Sequence, residues 1–193
     1  MRIPKKDHIA MCALRAFSQY GYSETTMDVI ADTAQVAKGT LYYHFKTKED
    51  LFYYVNKKGV GMLIDRITET IQDESHSVEE RLLAVLDEHI RFFYEQQELC
   101  LLLLNFTSGN QKRDEIIRVL LADYFATLEK YLSSLQQKGC IHADLEVHTL
   151  ASALFGMVGI TVIRNMYRGE QESMSEVRST LVLMCKGMLG IKQ

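Results

Sequence analysis

Proline is nearly absent from this 193-residue chain, which has one proline, eleven glycines and no tryptophan. Proteins built of many short strands need turn residues at frequent intervals, so this scarcity argues against a β-sandwich or barrel and favours long helices. No run of four or more residues alternates convincingly between apolar and polar positions, so we predict no sheet. The apolar fraction of 47% and the charged fraction of 24% are those of an ordinary folded protein.

The sequence also lacks the patterns of exported, membrane-bound and metal-binding proteins. No apolar segment follows the charged N-terminus, and the longest apolar stretch, residues 150–163, is too short to cross a bilayer. The four cysteines have no C-x-x-C pair, and the six histidines form no group with ligand spacing. We therefore expect a cytoplasmic location, no disulfides, no metal, no cofactor and no membrane contact.

Enzyme motifs are equally scarce. The sequence has no G-x-S-x-G, no phosphate-binding glycine loop and no cluster of His, Asp and Glu at metal-ligand spacing. We assign no catalytic residue and predict that the chain is not an enzyme.

Apolar residues recur at helical spacing along almost the whole chain, which predicts an all-α protein of about nine helices. The predicted helices are 5–20, 26–33, 38–44, 48–73, 78–95, 97–107, 112–137, 145–168 and 174–189. Four helix starts have a Ser or Thr followed three residues later by an acid, a pattern typical of N-terminal caps. These pairs are Thr25 with Asp28, Thr47 with Asp50, Ser77 with Glu80, and Ser173 with Glu176.

Residues 25–45 have the layout of a helix-turn-helix, in which the second helix enters the DNA major groove. Two apolar faces meet between the helices: Met27, Ile30, Ala31 and Ala34 against Val36, Leu41 and Phe45. The second helix exposes residues suited to a duplex: Lys38, Gly39, Thr40, Tyr42, Tyr43 and His44. No carboxylate lies between Gln35 and Thr47, so nothing in this stretch repels phosphate. The alternative is that these rings pack the small domain, as we expect for Leu41 and Phe45.

Several short motifs resemble the N-terminal domain of TetR-type repressors across residues 5–55. They are Gly21-Tyr22, Thr25-Thr26-Met27, Ile30-Ala31 and Lys38-Gly39-Thr40-Leu41-Tyr42-Tyr43-His44-Phe45, followed by Lys46, Lys48, Glu49, Asp50 and Leu51. The resemblance implies a DNA-binding domain at 1–47, joined by a continuous helix to a helical ligand-binding and dimerisation domain at 48–193. It also implies a homodimer that binds a palindromic operator and is released by a small effector.

The resemblance assigns roles to the positions that match. Thr26, at the start of the second helix, presents its hydroxyl and backbone N–H to a phosphate. Four residues resemble the family's phosphate-clamping positions: Thr40, Tyr42, His44 and Lys48. Three lie nearest the base edges: Lys38, Gly39 and Tyr43.

Two positions depart from the family pattern. Gln35 stands where the turn usually has glycine, so it is expected to adopt an unfavourable backbone conformation. Ala37 stands where Ser or Thr usually precedes the recognition helix, which removes a cap and one expected DNA contact.

Aromatic residues in the later helices suggest a pocket for an apolar or amphipathic ligand. The candidates are Phe92, Phe93, Phe106, Tyr124, Phe125 and Phe155. Core packing is the alternative for each of them. Two glycines inside the fourth helix, Gly59 and Gly61, indicate either a bend or a close crossing of helices.

The last two helices suggest a dimerisation unit, two copies of which form a four-helix interface. The candidates are Leu150, Leu154, Met157, Val158, Leu181, Met184 and Met188. An intrachain core is the alternative. Dimerisation has an independent reason, because a two-fold protein doubles the number of bases that one short helix reads.

Net charge differs between the two parts of the chain. Through Lys58 there are nine basic and six acidic residues; after it there are thirteen and nineteen. A basic head on an acidic body orients the helix-turn-helix toward DNA. We therefore predict a ligand-responsive repressor; the alternative is a helical DNA-binding regulator without a small-molecule ligand, controlled by a protein partner or by its abundance.

Overall fold

The computed structural model describes residues 4–104, 110–168 and 174–189, which form nine α-helices and no strand. The helices are α1 (Lys5–Tyr20), α2 (Met27–Thr33), α3 (Lys38–His44), α4 (Lys48–Gln72), α5 (Val78–Glu95), α6 (Gln97–Leu104), α7 (Gln111–Gln137), α8 (Val147–Arg168) and α9 (Met174–Leu189). The all-α prediction is confirmed. The predicted end of the sixth helix and the turn after it fall mostly on residues 105–109, which lie outside the described residues.

Two of the four predicted caps are reciprocal. The Asp50 N–H donates to the Thr47 hydroxyl at 3.0 Å, and the Thr47 N–H donates to the Asp50 carboxylate at 3.1 Å. Ser77 and Glu80 make the same pair of bonds at the start of α5. Each exchange satisfies backbone donors that a helix start leaves without partners. Ser173 lies outside the described residues.

The prediction that Thr25 caps α2 is wrong by one residue. Thr26 is the cap, and its hydroxyl accepts the Val29 N–H at 3.2 Å. Thr25 is buried instead, and its hydroxyl lies within hydrogen-bond distance of the carbonyls of Ala16 and Gly21. Adjacent threonines have the same capping chemistry, and packing against α1 decides which one is enclosed.

The chain packs as two units, one of Met1–Val60 with Glu98–Leu121 and the other of Gly61–Gln97 with Ala122–Gln193. This division follows packing and does not coincide with the predicted functional domains at 1–47 and 48–193, which stay a prediction. α4 runs unbroken from Lys48 to Gln72, as the sequence predicted.

In the first unit, α1 packs on α2, and α2 packs on α3. An aromatic cluster joins the rings of Phe17, Tyr22 and Phe52, with centroids 4.7 to 5.7 Å apart. Phe17 and Phe52 are almost fully enclosed, and burial of one such side chain stabilises the fold by about 1.5–3 kcal/mol. This cluster joins α1, the loop after it and α4.

Gly59 marks a close crossing in the first unit. A Cβ atom added there would overlap the buried Leu99 side chain of α6, whereas one added at Gly61 would meet nothing within 4 Å. Of the two readings of these glycines, close packing is the one that the geometry supports at Gly59.

In the second unit, α5 packs against both α8 and α9. Its buried face includes Leu82, Leu86, Ile90 and Phe93. This face and the apolar residues of α7 and α8 enclose one buried polar pair, the side chains of His89 and Tyr124.

Candidate functional site

The turn between α2 and α3 has the strained conformation expected at Gln35. This residue has a φ of 52°, the left-handed region, which costs a residue with a side chain about 1–2 kcal/mol. Its N–H still donates to the Asp32 carbonyl at 3.1 Å, and the next N–H, from Val36, donates to Ala31 at 3.0 Å. Ala37 precedes α3 without a side-chain cap, also as expected.

The predicted DNA residues of α3 form an exposed surface beside a buried anchor. Leu41 and Phe45 are buried, as the sequence predicted. Tyr43 is 77% exposed, so its ring does not serve mainly to pack the domain, and Tyr42 is 42% exposed. Lys38 and Gly39 are exposed as well, whereas Thr40 and His44 are half-buried. The exposed tyrosines present hydroxyl donors and ring faces to solvent.

Thr26 lies exposed at the start of α2, where its hydroxyl already accepts the Val29 N–H. The hydroxyl proton is not used by that bond, so Thr26 keeps one donor for a phosphate oxygen.

Lys48 has a structural role that its sequence position did not reveal. Its ammonium donates to the carbonyls of Tyr22 at 2.8 Å and Ser23 at 3.2 Å, and lies 4.4 Å from the centroid of the Tyr22 ring. Partial burial lowers the pKa of this lysine. The ammonium therefore secures the loop between α1 and α2.

Sequence reasoning missed a carboxylate beside α3. The Lys38 ammonium lies 2.7 Å from a carboxylate oxygen of Asp28, in the first turn of α2. The two side chains are 63% and 58% exposed, so the pair lies at the surface. The stretch that the sequence singled out, between Gln35 and Thr47, has no acid. Asp28 lies outside that stretch, and the packing of α2 on α3 brings it next to Lys38.

The predicted pocket aromatics pack on one another. The Phe155 ring lies 5.1 to 5.5 Å from the rings of Phe93, Tyr124 and Phe125. Phe92, next to Phe93, is fully enclosed, and only Phe125 is half-buried. Phe106 lies outside the described residues. For the other five candidates, core packing is the reading that the geometry supports.

A cavity of about 20 Å³ lies elsewhere in the second unit, between α5, α7, α8 and α9. Its walls are mostly aliphatic and include Leu82, Leu86, Leu128 and Leu154. No aromatic of the predicted pocket lines it within the described chain. The volume is close to what one water molecule needs, so the cavity is almost closed.

Two polar side chains also face this cavity, His89 and Tyr131. Burial lowers the pKa of His89 to about 4, so its ring is neutral at pH 7. Nδ1 lies 2.7 Å from the Val85 carbonyl and therefore carries the proton, so Nε2 accepts the Tyr124 hydroxyl at 2.7 Å. The Tyr131 hydroxyl is buried and has no hydrogen-bond partner among the described residues.

The predicted dimer residues divide into a buried set and an exposed set. Four of them are at most 9% exposed and belong to the chain's own core: Leu150, Leu154, Val158 and Leu181. Met157 is half-buried and Met184 is 52% exposed, and both line an open groove between α8 and α9. The side chain of Met188 lies outside the described residues. Side chains already enclosed within one chain add little area to a contact with another, so the core alternative applies to the buried four.

The groove between α8 and α9 is mostly apolar, and three polar residues also line it: Thr161, Glu176 and Thr180. Gly156, Ile160 and Val177 line it together with the two methionines, and Ile160 is 55% exposed. Leu183, on α9, is 71% exposed. The apolar stretch 150–163 was expected to be too short to cross a bilayer, but the whole of α8, with a mean hydropathy of 1.5, is long and apolar enough by length and composition alone. Within the chain, 33% of its apolar window is buried. Apolar surface of this extent is typical of an interaction site.

Two family profiles together match most of the chain. The profile described as bacterial regulatory proteins, tetR family, matches residues 12–55. The profile described as YsiA-like protein, C-terminal region, matches residues 56–187. The first contains the helix-turn-helix, and the second contains the groove and every lining residue of the cavity except Leu189.

Individual proteins with similar sequence or structure cover almost the same length. A fatty acid metabolism regulator protein of Bacillus subtilis (strain 168) is 29% identical over 160 residues, which is 82% of each chain. The structure of a Clostridium perfringens putative fatty acid metabolism regulator has a TM-score of 0.85 and 26% identity, covering 96% of this chain and 98% of that one. A crystal structure of the transcriptional regulator FadR from Bacillus subtilis in complex with stearoyl-CoA has a TM-score of 0.81 and 23% identity, covering 97% and 99%.

Proposed function

The chain belongs to the TetR family of bacterial regulatory proteins, and from this premise we propose that it is a ligand-responsive transcriptional repressor in the cytoplasm. The exposed tyrosine surface of α3, held by a buried Leu41 and Phe45, is the observation that carries the proposal. This short helix presents donors and rings while its opposite side is anchored, which is what docking in a major groove requires.

The DNA contacts of the proposed repressor divide between backbone and bases. Thr26 and four further residues bind phosphates in this proposal: Thr40, Tyr42, His44 and Lys48. Lys38, Gly39 and Tyr43 approach the base edges. Lys48 also holds the loop before α2, because its ammonium donates to two carbonyls there.

A homodimer supplies the second recognition helix. We place its interface on the groove between α8 and α9, where Ile160 and Met184 leave apolar surface exposed in the single chain. A second copy of the same groove buries this surface with two-fold symmetry, and the two α3 helices then read a palindromic site.

Selection of bound duplexes from a random DNA pool tests the central proposal. The expected product is an enriched palindrome. Tyr43→Ala is expected to weaken binding to that palindrome at least about tenfold, or about 1.4 kcal/mol, because the most exposed ring of α3 is lost. The midpoint temperature of thermal unfolding is expected to stay unchanged, because the Tyr43 ring is largely in solvent.

Tyr20→Ala is the matched control, because Tyr20 is also an exposed tyrosine of the first unit but ends α1 instead of lying on α3. This variant is expected to bind as the unmodified protein does. No enrichment of any duplex would refute the repressor proposal, and equal binding by both variants would remove Tyr43 from the interface.

We propose that the effector carries a fatty-acyl chain. Support comes from the relative described as a fatty acid metabolism regulator and from the regulator bound to stearoyl-CoA. The mostly aliphatic cavity suits such a chain, and the Tyr131 hydroxyl offers one polar anchor that has no partner in the described chain. A cavity of about 20 Å³ is too small for an acyl chain, so binding requires the leucines around it to move apart.

Replacing Tyr131 by phenylalanine tests both the effect of the hydroxyl on folding and its role as a polar anchor for the ligand. Without ligand, Tyr131→Phe is expected to raise the free energy of unfolding by about 1 kcal/mol, because a buried hydroxyl without a partner is removed. The stabilisation that palmitoyl-CoA or palmitate provides in thermal unfolding is expected to fall in the variant. Coenzyme A alone is the control ligand and shows whether the acyl chain is the part recognised.

The small cavity also supports a second candidate, a DNA-binding regulator without a small-molecule effector that is controlled by a protein partner or by its abundance. Absence of stabilisation by palmitoyl-CoA and by palmitate, together with normal operator binding, would favour this candidate.

A further inference from the structure

We propose that Asp28 is a specificity-determining residue that holds the Lys38 ammonium in place and weakens binding of the DNA face to non-cognate sequences. This inference rests on the proposed DNA-binding function and adds a residue that sequence reasoning did not place at the interface. Its basis is the 2.7 Å ion pair between α2 and α3.

The pair lies within the surface proposed to face DNA. Asp28 is in the first turn of α2, two residues after Thr26, and Lys38 is the first residue of α3. Both side chains are more than half exposed. A duplex docked on α3 therefore meets the carboxylate and the ammonium together.

The carboxylate changes the electrostatics of this face. Between Thr25 and Thr47 the chain has two lysines, Lys38 and Lys46, and two aspartates, Asp28 and Asp32, so their formal charges cancel. Non-specific DNA binding depends on cations that neutralise phosphates and release counterions. A lysine already paired with Asp28 releases fewer counterions, and a phosphate near the pair is repelled by the carboxylate.

Binding to the cognate site is affected less. An ammonium held by Asp28 has a defined position, which suits hydrogen bonding to one base edge. A free lysine on a flexible stem binds any phosphate within its reach. Asp28 therefore weakens the sequence-independent part of binding and keeps Lys38 available for the base contact proposed for it.

The ratio of affinities for the selected palindrome and for a scrambled duplex, measured at several salt concentrations, tests this role. Asp28→Asn is expected to bind the scrambled duplex about tenfold more tightly at low salt, with a salt dependence steeper by about one unit. The affinity for the palindrome is expected to change much less, so the ratio falls. Exposed ion pairs contribute little to folding, so the variant is expected to fold normally.

The double variant Asp28→Asn/Lys38→Ala tests the coupling between the two residues. Lys38→Ala alone leaves an unpaired carboxylate at the interface and is expected to weaken binding to both duplexes. Adding Asp28→Asn is expected to recover binding to the scrambled duplex, so the two effects are not additive. Asp73→Asn is the matched control. It removes the same charge from an exposed aspartate that follows α4 and is paired with His76.

These measurements distinguish the role of Asp28 from an effect of total charge and from a failure of the repressor proposal. Salt dependences of Asp28→Asn that equal those of the unmodified protein, or additive effects in the double variant, would overturn the role of Asp28 while leaving the repressor proposal intact. A similar gain in Asp73→Asn would show that total charge, not the pair, is responsible. Failure of the unmodified protein to prefer any duplex would overturn both proposals.

Discussion

Replacing Ile160 by aspartate is expected to dissociate the proposed dimer and, with it, to abolish operator binding at submicromolar protein concentrations. Ile160 is 55% exposed in the single chain and lines the groove between α8 and α9. In a two-fold contact each groove would enclose an aspartate among Met157, Val177 and Met184, and burying a charge in such surroundings costs several kcal/mol. We expect dimerisation to weaken more than about a hundredfold, which corresponds to about 2.7 kcal/mol.

Sedimentation velocity and a gel-shift titration measure the two consequences of Ile160→Asp separately. Val119→Asp is the matched control, since Val119 is a β-branched residue 46% exposed on α7 and does not line the groove. The control is expected to remain a dimer. If Ile160→Asp stays dimeric, the interface lies elsewhere on the chain.

Acid is expected to destabilise the protein well above the pH at which carboxylates become protonated, because of His89. Its ring is buried and neutral, and burial lowers its pKa from 6.5 to about 4. The unfolded chain, with an ordinary histidine, therefore binds more protons than the folded chain between these two values. Stability falls as the pH decreases through this window, by about 3 kcal/mol in total at 1.36 kcal/mol per pKa unit.

Three other groups with shifted pKa values affect the stability with the opposite sign or at lower pH than His89 does. The pKa of His148 is raised by Glu129, so its contribution is present at low pH and is lost as the pH rises. The pKa values of Asp7 and Glu80 are lowered by hydrogen bonds, so their contributions are lost only below the ordinary carboxylate range. Denaturant unfolding between pH 7 and pH 5 therefore reports mainly on His89, with His148 acting in opposition.

A double variant provides the control for His89. His89→Leu together with Tyr124→Phe removes both partners of the buried hydrogen bond and leaves apolar groups of similar size. The loss of stability between pH 7 and pH 5 is expected to be much smaller in this variant, and His148→Gln measures the opposing contribution. An unchanged pH dependence in the double variant would assign the acid sensitivity to other groups.

The helix-turn-helix was predictable from the sequence because its determinants are local. Helical periodicity, the turn at Gln35 and the missing cap at Ala37 all depend on residues within a few positions of one another, and the structure confirms each of them. The neighbouring cap was misassigned because Thr25 and Thr26 are chemically equivalent until packing buries one of them.

The second unit was harder to predict in its details. The sequence suggested a pocket from its aromatic residues and a dimer interface from the apolar faces of the last two helices, and both assignments stay predictions. Periodicity, however, cannot distinguish a ring that lines a cavity from one packed on other rings, as around Phe155. It also cannot distinguish Leu154, enclosed in the chain, from Ile160, exposed in the groove, since both are apolar residues of α8.

The sequence by itself determined the helices, the helix-turn-helix and the family, because helix propensity, capping and motif spacing act over short distances along the chain. Only the tertiary structure decided that Lys38 is paired with Asp28, that the Tyr131 hydroxyl is left without a partner in the described chain, and which apolar residues remain exposed. These features depend on side chains from different helices meeting in space. A single sequence does not show which distant residues will meet. The ion pair, the lining of the cavity and the exposed apolar residues can therefore be identified only once the packing of the helices is known.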